Sequence, residues 1–203
     1  MTIGVIDYGA GNLTSVLKGL SAAGAAAVII RRPQDINDVD ALLIPGVGHF
    51  ASTKALDEDW RRSIYTAIDG SRPVLAICLG MQWLFQGSDE APAVAGLDFL
   101  AGRCTRLPGT GVKVPHVGWN TLTRLPRPSR MLDGIEGERW AYFNHTYAAP
   151  VGRDTVAVTT HGAVFASCIE QDRVWGVQFH PEKSSSTGLR ILANFVALAR
   201  EGS

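Results

Sequence analysis

Cysteine is scarce in this sequence. Cys78, Cys104 and Cys168 are the only three in 203 residues, and none belongs to a Cys-x-x-Cys pair. An odd, scattered set excludes a disulfide framework and points to a reducing compartment. Net charge is missing as well, because 19 basic and 19 acidic residues cancel. No basic field exists to hold a nucleic-acid backbone or an anionic membrane, so neither is expected as a partner. The longest apolar run, residues 22–30, is interrupted by Gly24 and falls far short of the ~20 residues that span a bilayer. The chain enters an apolar run at residues 3–6 with no basic stretch ahead of it, and a cytoplasmic protein is expected. The five histidines, at 49, 116, 145, 161 and 180, share no metal-ligand spacing.

Apolar residues make up 46% of the chain and charged residues 19%. That suffices to pack a core without metal or disulfide and argues against disorder. No repeat, low-complexity tract or linker interrupts the chain, so residues 1–203 are expected to form one domain. The first half alternates strand and helix. Residues 3–6, 27–30, 41–44 and 74–77 read as buried strands. Residues 12–23 carry Leu13, Val16, Leu17 and Leu20 at helical spacing and end at Gly24. Helical periodicity also runs through 51–69 (Leu56, Trp60, Ile64, Ile68) and 81–85. This alternation predicts an α/β protein with a mostly parallel central sheet flanked by helices. The second half changes character. Short runs at 104–107, 111–117, 120–125, 140–147, 155–160, 163–169 and 174–179, separated by Gly, Pro, Asp or Asn, predict additional antiparallel strands and hairpins. A helix over 187–200, with Leu189, Leu192, Phe195, Val196 and Ala199 as its apolar side, closes the chain, and Ser184-Ser185-Ser186 is its expected cap.

Two segments carry chemistry. Ala76-Ile77-Cys78-Leu79-Gly80 puts a cysteine where a strand gives way to a helix. A nucleophile on such a turn is held in strained backbone geometry that demands small residues two positions either side, and Ala76 and Gly80 stand there. The following helix aims its first N–H groups at the sulfur and favours the thiolate. A cysteine in an apolar run is otherwise a packing residue, which is the reading for Cys104 and Cys168. Phe179-His180-Pro181-Glu182 puts a histidine and a carboxylate two residues apart, on one side of an extended segment stiffened by Pro181. A lone His-Pro-Glu is otherwise a surface turn. Together Cys78, His180 and Glu182 supply nucleophile, base and orienting acid for acyl transfer. Pro45-Gly46-Val47-Gly48 follows the third strand, and its glycines let a backbone N–H turn toward a ligand, as an oxyanion hole demands. An ordinary strand-to-helix turn is the alternative. Gly9-Ala10-Gly11 begins like a dinucleotide fingerprint, but Thr14 stands where the third glycine belongs and Arg31-Arg32 near where an acid is needed.

The cysteine elbow, the glycine-rich strand end and His-Pro-Glu resemble the class I (triad) glutamine amidotransferases along essentially the whole chain. Four further segments are similar to one branch of that family, the glutaminase subunits of imidazole glycerol phosphate synthase in histidine biosynthesis. They are Ile6-Asp7-Tyr8-Gly9-Ala10-Gly11-Asn12, Lys113-Val114-Pro115-His116-Val117-Gly118-Trp119-Asn120, Tyr142-Phe143-Asn144-His145-Thr146-Tyr147 and His180-Pro181-Glu182-Lys183-Ser184. The resemblance implies a flavodoxin-like fold, with Cys78 attacking the side-chain amide of L-glutamine, His180 moving protons and Glu182 holding His180. It implies an oxyanion loop at Gly46, Val47 and Gly48, and glutamine contacts at Gln82, Gly48, Thr146 and Tyr147. No cofactor and no metal are implied. The ammonia released goes to a separate (β/α)₈-barrel cyclase subunit, with Asn12, Lys113, His116, Trp119, Asn120, Tyr142 and Lys183 at or near the interface. The sequence departs from the family pattern at Ala76, usually glycine, and at Asn144, usually apolar. Two other readings stay open. One is an amidotransferase subunit of another pathway (vitamin B6 or anthranilate) or a stand-alone cysteine hydrolase, against which 113–120 counts. The other is a non-catalytic nucleotide-binding module.

Overall fold

The computed structural model describes residues 1–137 and 139–201. The first half runs β1 (Thr2–Ile6), α1 (Leu13–Ala22), β2 (Ala26–Ile30), β3 (Ala41–Ile44), α2 (Glu58–Asp69), β4 (Val74–Ile77) and α3 (Leu79–Trp83). Next come β5 (Phe85–Ser88), β6 (Leu100–Arg106), β7 (His116–Thr121), β8 (Thr123–Arg124), β9 (Trp140–His145) and β10 (Tyr147–Ala148). The chain closes with β11 (Thr155–His161), β12 (Ala163–Gln171), β13 (Val174–Val177) and α4 (Ser185–Arg200). One eight-stranded sheet has the order β2-β1-β3-β4-β13-β12-β11-β8. From β2 to β13 its neighbours pair in parallel, and from β13 to β8 they are antiparallel. Small sheets of β10-β6-β5 and β7-β9 lie beside it.

Why the central strands β3 and β4 are apolar at every position is plain from the two cores. Ile3, Val5, Leu43, Leu75 and Ile77 face one core with Val16 and Leu20 of α1 and Ile191, Leu192 and Phe195 of α4. Ile6, Leu42, Ile44, Val74 and Ala76 face the other, with Trp60 and Ile64 of α2. Successive side chains of a strand point to opposite faces, and here both faces are covered. Each fully buried Leu, Ile or Phe contributes roughly 1.5–3 kcal/mol. Among the described residues no helix is long and apolar enough to cross a membrane.

Several expectations shift in detail. Residues 51–69 divide into a 3₁₀ turn (Phe50–Ala55) and α2, because Asp57 accepts the N–H groups of Asp59 and Trp60 and starts a new helix. Phe85 leaves the third helix and pairs with Leu100, so residues 81–85 are not one helix. The second half is not wholly antiparallel: β5 runs parallel to β6, and β13 runs parallel to β4. Residues 111–115 precede β7 rather than belong to it. Leu189 is 43% exposed, and Ile191 and Leu198 take its place on the buried side of α4. Ser184 occupies the cap position of α4, but its side chain makes no capping hydrogen bond there. Its Oγ donates to the His180 carbonyl (2.6 Å) and accepts the Tyr142 N–H (2.9 Å).

Helix α4 packs directly on the turn that follows β13. A Cβ built on Gly188 would lie 1.9 Å from the Pro181 carbonyl oxygen. Alanine gains about 0.5–1 kcal/mol of helix propensity over glycine, but a backbone clash of this kind costs about 1–3 kcal/mol and wins. Gly188→Ala is therefore expected to destabilise the fold by about 1–2 kcal/mol in urea unfolding. An unchanged or raised midpoint would show that helix and turn separate freely.

Candidate active site

Cys78 sits between β4 and α3 at φ 53 and ψ −107, a backbone conformation unfavourable for a side chain bearing Cβ. Two contacts hold it there. Its N–H donates to the Val177 carbonyl of β13 (2.8 Å), and its carbonyl accepts the N–H of Gln82 (3.1 Å). A Cβ on Gly80 would lie 2.1 Å from the Ile44 carbonyl oxygen, so the chain can turn tightly against β3 only with glycine there. The elbow expected from Ala76 and Gly80 is present.

His180 comes three residues past the end of β13 and donates its own N–H to the Tyr142 carbonyl (2.9 Å). The segment beyond it is not extended. Pro181–Lys183 form a 3₁₀ turn, with proline at a first-turn position that needs no N–H. That turn, rather than strand alternation, brings Glu182 Oε1 to 3.1 Å from His180 Nδ1. Both side chains are buried, at 4% and 2% exposure. Cys78 and His180 line the same cavity, and with Nδ1 engaged by Glu182 the ring nitrogen left to serve the sulfur is Nε2. Burial alone would lower the His180 pKa, but the neighbouring Cys78 and Glu182 and their charges raise it well above the ordinary imidazole value. Glu182 Oε2 has no hydrogen-bond partner among the described residues.

Above the sulfur lies the Pro45-Gly46-Val47-Gly48 loop. Gly46 is wedged so closely that a Cβ would meet the Leu79 Cβ and the Tyr8 hydroxyl at 2.6 Å each. Its carbonyl accepts the Leu79 N–H at 3.4 Å. Leu79 follows the nucleophile, and the N–H in that position is a customary oxyanion donor. Here it is occupied by the protein's own carbonyl. Gly48 has φ +96, and Val47 is 39% exposed.

Val47, Gly48, Cys78, Gln82, Thr146, Tyr147 and His180 line one cavity of about 260 Å³, so the tertiary structure unites every expected chemical residue except Gly46 and Glu182, which stand just behind it. Gln82 enters this site with its amide hydrogens already used: Nε2 donates to the Tyr147 carbonyl (2.8 Å) and to Gln178 Oε1 (3.0 Å). Gln178, fully buried, then donates from Nε2 to Cys78 Sγ (3.6 Å). Gln178 went unread in the sequence, as did Glu90, which lines the cavity and accepts the Phe50 N–H (2.7 Å). A polar residue inside the apolar run 174–179 was the available signal for Gln178. Asn144 is exposed, which removes the need for an apolar residue there.

The residues expected at a partner face are dispersed. Trp119 is 50% exposed on β7, with its ring at 6.1 Å from that of Tyr142, and Lys183 Nζ lies 5.8 Å from the Tyr142 ring centre. Val117 and Trp140, which sequence reading passed over, are exposed on the same pair of strands at 56% and 43%. Asn12 is exposed and caps α1 by accepting the Ser15 N–H (3.2 Å), and Lys113 is exposed ahead of β7. Asn120 is half-buried. His116 is 3% exposed and lies beneath the face rather than on it.

A strained cysteine, a buried His–Glu pair and a glycine-rich loop around one small cavity are the equipment for hydrolysing or transferring an acyl group through a thioester. The chain belongs to the class-I glutamine amidotransferase family, which matches residues 4–199. Among its relatives, the protein named imidazole glycerol phosphate synthase subunit HisH of Methanothermobacter thermautotrophicus is 44% identical over 98% of this chain and 99% of its own length. The HisH subunit of Halobacterium salinarum is 45% identical over 96% and 92%. A solved glutamine amidotransferase shares the fold with a TM-score of 0.75 at 19% identity, covering 98% of each chain.

Two outcomes are expected. Burial pushes the Cys104 and Cys168 thiols up, whereas Cys78 faces a cation-favouring imidazole. Iodoacetamide at about pH 7 should therefore add once, at Cys78, as read by peptide mass. Labelling of Cys104 or Cys168 first would contradict this. Burial lowers His145 to about 3 and, with help from His161, His116 to about 4. Unfolded imidazoles bind protons below about pH 6.5 that the folded ones refuse, so stability present above that value is lost as pH falls. Each ring contributes a slope of up to about 1.4 kcal/mol per pH unit, and unfolding midpoints should fall between about pH 6.5 and 5. A flat profile there would rule out neutral rings.

Proposed function

We propose that this chain is the glutaminase subunit of an imidazole glycerol phosphate synthase, hydrolysing L-glutamine to glutamate and ammonia in histidine biosynthesis. The observation that carries this reading is Cys78 and His180 lining an amino-acid-sized cavity with Glu182 behind the imidazole, in a chain 44% identical along its length to a HisH subunit. Cys78 Sγ attacks the side-chain amide carbon of glutamine. His180 delivers a proton to the departing nitrogen, ammonia leaves, and a glutamyl thioester remains. Water, deprotonated by His180, attacks the thioester, and the sulfur departs with glutamate released. Glu182 fixes the imidazole's tautomer and orientation and offsets its charge.

Developing charge on the carbonyl oxygen needs N–H donors that are free. With the Gly46 carbonyl on the Leu79 N–H, the loop has to turn before the hole is complete, and an N–H near Val47 then joins it. Gly48, Gln82, Thr146 and Tyr147 hold the glutamine, Gln82 through its side-chain oxygen because its amide hydrogens are engaged. No cofactor or metal takes part. The ammonia passes to a (β/α)₈-barrel cyclase subunit in a heterodimer, which seats on the face carrying Trp119, Tyr142 and Lys183, with Asn12, Lys113 and Asn120 around it and His116 in support.

Cys78→Ala is expected to abolish glutamine-dependent synthesis by the assembled pair, by a factor of about 10⁴ or more, and to leave synthesis from added ammonium salts intact. Product formation from each nitrogen source is the measurement. Equal loss of both activities would refute this division of labour.

A further inference from the structure

Two buried histidines take no part in the Cys78 chemistry, yet they stand in one hydrogen-bonded line with it. The Tyr147 carbonyl lies 2.9 Å from His145 Nδ1, His145 Nε2 lies 3.1 Å from His116 Nδ1, and His116 Nε2 lies 3.2 Å from Asn120 Nδ2. At the inner end the same Tyr147 carbonyl receives Gln82 Nε2 (2.8 Å), on the cavity wall. At the outer end Asn120 sits on β7, next to the exposed Trp119.

The direction of this line is set independently at each end. A backbone carbonyl can only accept, so His145 Nδ1 carries a hydrogen, and in a neutral ring Nε2 is then an acceptor. At the other end Asn120 Nδ2 also lies 3.1 Å from the Thr160 carbonyl, while Asn120 Oδ1 accepts the Thr121 N–H (2.8 Å). The amide nitrogen, not its oxygen, therefore faces His116 Nε2, which must accept. That leaves the hydrogen of His116 on Nδ1, where His145 Nε2 needs it. Both ends demand the same polarity. Burial, which keeps the two rings neutral, is consistent with it. His116 is also stacked, at 4.0 Å from the His161 ring and 4.7 Å from that of Phe143, so a packing role is the rival explanation.

We propose that His145 and His116 are positioning residues, a one-directional hydrogen-bond relay that ties the Tyr147 wall of the glutamine site to Asn120 on β7. The relay rests on the glutaminase reading of the cavity. It gives strand β7, whose outer side carries Trp119, a mechanical connection to the pocket: a shift of Asn120 propagates to the carbonyl that orients Gln82. His116 lies outside the cavity lining, whereas His145 stands in it beside Thr146 and Tyr147.

Two substitutions at His116 separate relay from packing. His116→Asn keeps an N–H donor near the Nδ1 position and loses the ring, whereas His116→Phe keeps the ring and loses the donor. Glutamine hydrolysis is measured for the chain assembled with its cyclase subunit. The relay requires His116→Phe to raise the glutamine KM about tenfold, the worth of one lost buried hydrogen bond, with kcat changed less, and His116→Asn to raise it less than about threefold. The reverse order, or equal effects, overturns the relay. Imidazole nitrogen NMR of the unsubstituted chain near neutral pH, which no variant's folding can confound, should show His116 and His145 both neutral with hydrogen on Nδ1. Either ring charged or carrying hydrogen on Nε2 also overturns it. Failure of the Cys78→Ala ammonium comparison would remove the glutaminase reading and leave the tautomer result standing, so the two failures are distinguishable.

Discussion

The parallel pairing of β13 with β4 is the constraint on which the site depends. Val177 pairs with Ile77, and the next amide, that of Cys78, donates to the Val177 carbonyl at 2.8 Å. One strand therefore ends in the nucleophile, and its neighbour runs on within three residues to His180. Their carboxyl ends lie side by side, where an open α/β sheet leaves a crevice. The two strands are buried on both faces and paired in register from Val174–Val74 to Val177–Ile77. Rigid sheet packing thus supplies the precision that catalysis by contact demands.

Geometry and charge at the site are one problem. Burial of His180 opposes its charged form, and the neighbouring Cys78 and Glu182 reverse that tendency. A buried charge left without its partner costs about 3–5 kcal/mol, so the turn that returns Glu182 to the imidazole has to be held rigidly. Ser184 does this by joining the His180 carbonyl to the Tyr142 amide, and α4 does it by pressing Gly188 against Pro181. A serine that sequence alone assigns to helix capping is spent on the active-site turn instead.

The same tight packing leaves the site assembled but restrained. The Leu79 N–H is engaged by the Gly46 carbonyl at 3.4 Å, a long and weak bond. Gly46 has no room for a side chain, while Gly48 holds a φ of +96 that disfavours any residue but glycine. Under the proposed function, this loop has to turn before the Leu79 N–H is free to meet an oxyanion.

By itself the sequence determined the alternation of strands and helices in the first half and the elbow around Cys78, and it named the candidate triad. Those features are local: a run of apolar residues makes a buried strand, a small-x-Cys-x-Gly turn needs no distant partner, and His-Pro-Glu is three residues long. Only the tertiary structure decided that Glu182 returns by a 3₁₀ turn, that residues 51–69 break at Asp57, and that β13 lies between β4 and β12. It alone brought Gln178 to the sulfur and buried His116 under β7. Hydrogen-bond partners separated by dozens of residues leave no periodicity to read, since their meeting is a property of the sheet order and not of either segment.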